Sequence, residues 1–68
     1  MRFAIVIEKA PRNYSAYVPD LPGCIATGQT VKEVEIEIRE AIRLHLDGMR
    51  EDGQPIPMPT AISDYVEV

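Results

Sequence analysis

The side chains in this chain whose types suit catalysis are few. Glu8, Asp20, Asp47 and Asp64 are carboxylates that could hold metal ions, and Cys24 and His45 could form a thiol and imidazole pair. Two-metal hydrolysis needs several carboxylates converging on ions about 4 Å apart, and nothing in the spacing of these four shows convergence. Solvated charges are the reading they support. A nucleophilic thiol needs a base and a third group that orients the base, and no such group accompanies the lone Cys24 and the lone His45. No catalytic residue, metal ligand or cofactor is therefore assigned. Two tyrosines, Tyr14 and Tyr17, share one short segment. Their rings suit burial with the hydroxyls at the rim, and they are also the residue type that protein interfaces use as anchors.

The elements that must position these residues follow from periodicity. Residues 2–8 carry Phe3, Ile5 and Ile7 on one face and Ala4 and Val6 on the other, the pattern of a strand covered on both sides. Turn chemistry at Ala10-Pro11-Arg12-Asn13 leads into a second strand around Tyr14 to Val18. Pro19-Asp20-Leu21-Pro22-Gly23 is a tight connection to a short third strand at Cys24 to Ala26. Thr30-Val31-Lys32-Glu33 has the form of a capping box, so a helix should start there. Val31, Val34, Ile38, Ala41, Ile42, His45 and Met49 continue it at helical spacing, which places His45 on the apolar face, packed against the sheet. Opposite charges at Glu35 and Arg39 and at Arg43 and Asp47 are spaced to pair along it. Gly53 and Pro55 stop the helix, Pro55 to Pro59 forms an extended arm, and Ala61 to Val68 alternates as a final strand.

The order is β-β-β-α-β, an α+β fold with one long helix on one face of a four-stranded sheet. A right-handed crossover from the helix brings the last strand parallel to the first, for a sheet order of 3-2-1-4. With 68 residues the chain is read as a single domain, 1–68. A formal charge of −4 opposes nucleic-acid binding and suits a basic protein partner. One cysteine, no long apolar run and no leader pattern place the chain in a reducing cytoplasm, away from membranes.

Three segments together carry a family resemblance: Tyr17-Val18-Pro19-Asp20-Leu21-Pro22-Gly23-Cys24; Thr27-Gly28-Gln29-Thr30 before a helix holding Arg39-Glu40-Ala41-Ile42; and Asp52-Gly53-Gln54-Pro55-Ile56-Pro57. In this order they resemble the HicB-type antitoxin domain. The resemblance implies a truncated RNase-H-like fold that binds a HicA-type toxin, a small basic RNA-cleaving protein, and neutralises it by covering its active surface. The alternatives are a residual metal-dependent ribonuclease of that fold and an orphan domain that only self-assembles. Members that repress their own operon carry a DNA-binding module after this domain. This chain stops at Val68, so no C-terminal DNA-binding module and no direct DNA binding are expected.

The chain departs from the pattern of the family it resembles at Glu35, where a leucine is usual and the isoleucine comes one residue later, at Ile36. At about 100° per residue, Ile36 falls with Glu40, Arg43 and Asp47, away from the apolar face. It should face solvent in a monomer, as single isoleucines ordinarily do on protein surfaces, the sharper alternative being burial by a second subunit or by the toxin. Tyr14, Tyr17, Asp20 and Ile36 are accordingly the candidate interface residues, and a homo-oligomer, dimer or tetramer, is expected. If the charge and the missing module are read correctly, the purified chain will leave its own promoter DNA unshifted at physiological salt.

Overall fold

A computed structural model describes residues 1–68 and contains three strands and one helix: β1 (Val6–Lys9), β2 (Tyr14–Tyr17), β3 (Ile25–Gly28) and α1 (Val31–Glu51). The strands form one antiparallel sheet in the order β1-β2-β3. Ile7 lies opposite Ala16, and Ala16 opposite Ala26, so these three share a face, as do Val6, Tyr17 and Ile25 on the other. The first face is packed and the second is open. Ala16 is buried, whereas Tyr17 is 42% exposed and Ile25 69%.

The helix starts where Thr30 takes extended backbone and its hydroxyl accepts from the Glu33 amide at 3.0 Å, satisfying a donor the first turn leaves free. Only this half of the capping box forms. At the other end Gly53, at φ 70°, donates to the Arg50 carbonyl, and Gln54 donates to that of Met49. This pair of bonds is a Schellman motif, and the left-handed conformation at its centre is why a glycine stands there. Arg43 pairs with Glu40 and Arg50 with Asp47, each three residues back, instead of the four-residue pairs the sequence suggests.

The core contains Ala16 from β2, Val18, Leu21 and Cys24 from the connection after it, and Val34, Ile38 and Leu46 from α1. Phe3, Ile5, Ile7, Tyr14 and Ile56 pack around it. The helical phase read from the sequence is right for Val34 and Ile38. It places His45 near the centre of the buried stripe, but the buried residue is Leu46 and His45 is half-buried.

What brings α1 onto the sheet is visible at Gly28. A Cβ built there would lie 2.7 Å from the Val34 amide nitrogen and 3.0 Å from its Cα. Backbone rests on backbone, and only the absence of a side chain permits it. The helix consequently packs on β3 and β2 and scarcely on β1.

The sheet has three strands, not the expected four. Ala61 to Val68 pairs with nothing, and no backbone-to-backbone hydrogen bond forms beyond Gln54. Ile62 is 91% and Tyr65 96% exposed. The first strand is therefore an edge and not an interior strand. It is also shorter than residues 2–8: its ladder with β2 ends at Val6 opposite Tyr17, while the next amide along that chain, Val18, donates to the Cys24 carbonyl on the β3 side. Alternation of apolar residues reports suitability for pairing, and here no partner strand meets it.

Two alanine substitutions should have opposite effects. Gly28→Ala should cost about 1–3 kcal/mol, because the helix backbone must move to admit the methyl group. Gly48→Ala should gain about 1 kcal/mol, since its Cβ would meet nothing within 4 Å and alanine favours the helix. Urea titration of each variant measures both.

Candidate functional site

The connection from β2 to β3 is two consecutive turns. Leu21 donates to the Val18 carbonyl at 3.0 Å and Cys24 to that of Leu21 at 3.1 Å. Pro19 and Pro22 each hold the first central position, and Gly23, at φ 85°, supplies the left-handed residue the second turn requires. This geometry drives Leu21 and Cys24 inward, to 1% and 3% exposure, and leaves the Asp20 carboxylate outside, facing the returning chain. Burial alone pushes the Cys24 thiol's pKa up.

Asp20 is a clamp. Its Oδ2 accepts from the amides of Thr60 and Ala61, both at 3.0 Å, and its Oδ1 from the Thr60 hydroxyl at 2.9 Å. The Ala61 amide is the strongest influence holding its pKa below the ordinary aspartate range; partial desolvation works against it, and the two Thr60 donors reinforce it. Together with the half-buried Ile56, this clamp ties the proline-rich strap of residues 54–60 across the domain.

The four candidate interface residues do not form one site. Tyr14 lies on the packed face of the sheet, opposite Gly28, and Tyr17 on the open face between Val6 and Ile25. Spacing by an odd number along a strand separates the two rings. Asp20 is occupied by the strap. Ile36 is 54% exposed on the solvent side of α1. No three His, Cys, Asp or Glu side chains stand together in a way that could hold a metal ion.

Around α1 the side chains fall into three strips. Val34, Ile38 and Leu46 are buried, and Ala41, Ile42 and Met49 pack beside them against the core. On the solvent face two apolar residues are exposed: Ile36, between Glu33 and Glu40 on one side and Lys32 and Arg39 on the other, and Leu44, flanked by Glu37, Glu40, Asp47 and Glu51. Arg39, Arg43 and Arg50 project along the third strip, where the helix overhangs the β1 side of the sheet. There they border a groove of about 650 Å³ whose floor is Phe3, Ile5, Ile38, Ile42 and Leu46, and Arg2 closes it from the opposite side. Leu44 and the arginine-rimmed groove were not drawn from the sequence. A helical projection of the charges shows the arginine strip, but the groove also requires knowing that the helix lies off β1.

The chain is thus a small α+β domain with an open edge strand and exposed apolar residues on its helix. The model of the HicB-like antitoxins of bacterial toxin-antitoxin systems matches residues 3–68, and the chain belongs to that family. It is 39% identical, over 97% of its length, to an uncharacterized 14.9 kDa protein of Haemophilus phage HP1, and spans only half of that protein. A UPF0150 protein of Thermoplasma acidophilum is 37% identical, with 90% of each chain covered. Among solved structures, the fold is similar to a chain of the HicA3 and HicB3 toxin-antitoxin complex, with a TM-score of 0.75 and 28% identity over 87% of this chain and 70% of that one.

Because the folded-state pKa of Asp20 is depressed, the clamp stabilises at pH values above that of an unfolded aspartate, near 4. That stabilisation is lost as pH falls through the folded value. Limited proteolysis of the strap should thus accelerate below about pH 4, and Asp20→Asn should show the faster cleavage already at pH 7. Hydrogen exchange at the Thr60 and Ala61 amides provides the residue-level measurement.

Proposed function

We propose that this chain is a non-enzymatic antitoxin that binds a small basic HicA-type ribonuclease toxin and covers its active surface, acting in the cytoplasm without recognising DNA itself. The observation that carries this is the likeness, over 87% of the chain, to a component of a complex whose name joins HicA3 with HicB3. Family membership and the acidic solvent face of α1 support the same reading. A cationic toxin would be steered to that face, and carboxylates around its binding site would repel RNA from the same surface.

Ile36 and Leu44 are the apolar centre of the surface, with the five carboxylates as its rim. Tyr17, with Ile25 beside it, offers a smaller anchor on the open face of the sheet. Asp20 and Tyr14 serve indirectly, by holding the strap and filling the packed face. The truncated RNase-H-like architecture supplies the scaffold in this reading, with no part in catalysis.

Co-expression should rescue growth of cells producing the cognate toxin. Burying Ile36 is worth roughly 1.5–3 kcal/mol, so Ile36→Lys should weaken toxin affinity tenfold or more in calorimetric titration. Its thermal midpoint should stay nearly unchanged, because Ile36 is outside the core. Failure of the native chain to bind or to rescue would overturn the proposal.

A further inference from the structure

Two features on the β1 side of the molecule have no use in toxin binding as proposed above. One is the groove between α1 and the start of the chain. Four of the seven basic residues of this acidic protein, Arg2, Arg39, Arg43 and Arg50, line it, against two carboxylates, Glu35 and Asp47. Its apolar floor includes Phe3 and Ile5, which lead directly into β1, whose free edge leaves outward backbone donors and acceptors without a partner. A basic toxin is the wrong occupant for such a groove.

The other feature is the segment Ala61 to Val68. It carries Ile62, Tyr65, Val66 and Val68, each at least 84% exposed, together with two exposed carboxylates, Asp64 and Glu67. It has the alternation of a strand, the apolar side chains the floor would accept and the charge the rim would attract. Eight extended residues reach about 26 Å, more than the four residues of β1 require. The segment does not fill the groove of its own chain. Asp20 pins its root, Ala61 to Ser63 pass beside Arg2 to Ile5, and the remainder leads away into solvent.

We propose that the groove receives residues 61–68 of a second copy of this chain, which add a fourth strand to β1. Exchange in both directions makes the contact isologous, so each copy donates one segment and receives one. Both lost edges and all eight exposed apolar side chains of the two segments are then covered in one assembly.

A charge-swap mixing experiment tests this with the 68-residue chain. Sedimentation equilibrium should give a mass twice the 7.6 kDa of the monomer. Arg39→Glu with Arg50→Glu makes the rim acidic, and Asp64→Arg with Glu67→Arg makes the segment basic. Each double variant alone should dimerise at least tenfold more weakly, because its segment and its partner's groove then repel. An equimolar mixture of the two should recover the dimer, since each segment then meets a groove of opposite charge. All four positions are exposed, so the fold is unaffected, which circular dichroism verifies. Tyr65→Ser with Val66→Ser, which leaves the charges alone, should weaken the dimer as well.

A native monomer at every concentration would overturn the proposal. So would a dimer indifferent to these variants, or variants that weaken it without recovery on mixing, the result expected if the segment folded into its own groove. Toxin binding is read on the native chain, so its failure there would count against the proposed function and not against this exchange.

Discussion

The close approach of Gly28 to the backbone of Val34 is the constraint on which the rest of the molecule depends. Once β3 and the first turn of α1 meet without an intervening side chain, the helix axis is committed to the β2 and β3 side of the sheet. Val34 and Ile38 are then the natural fillers of the space above Ala16, and the double turn contributes Leu21 and Cys24 from the flank. Seven buried side chains are a small core for 68 residues, so the strap and its anchor at Asp20 contribute what a larger protein would obtain from a second layer. The same offset leaves β1 uncovered by the helix, producing both the groove and the open edge.

Charge is distributed so that a single helix presents different signs in different directions. The acidic strip beside Ile36 and Leu44 and the arginine strip beside Leu46 are less than half a helical turn apart. The formal charge of −4 conceals this, since it averages a cationic groove with an acidic face. As proposed, a toxin and a second copy take separate surfaces.

Much of the fold was legible in residue order. Thr30 and Gly53 marked the helix ends because capping is local chemistry, and Pro19, Pro22 and Gly23 marked the double turn because each restricts or frees its own φ. The last strand was misread because pairing is decided by a neighbour distant in sequence. Ile62, Tyr65 and Val66 have the alternation of a strand but no ladder beside them. The role of Asp20 was likewise hidden. Nothing local distinguishes a carboxylate that holds Thr60 and Ala61, forty residues on, from one that waits for a partner. Tyr14 and Tyr17 show the opposite case, since their odd spacing along one strand separates them in the sequence as in the structure.

Burial of Cys24 gives the molecule an internal clock. The thiolate is the reactive form of cysteine, and here its formation is suppressed by burial while the sulfur is sealed beneath the second turn. Alkylating reagents must wait for that turn to lift, so the labelling rate of this one thiol reports how often the β2 to β3 connection opens. The protein thus carries a reporter of its own local breathing, readable by mass spectrometry without any added probe site.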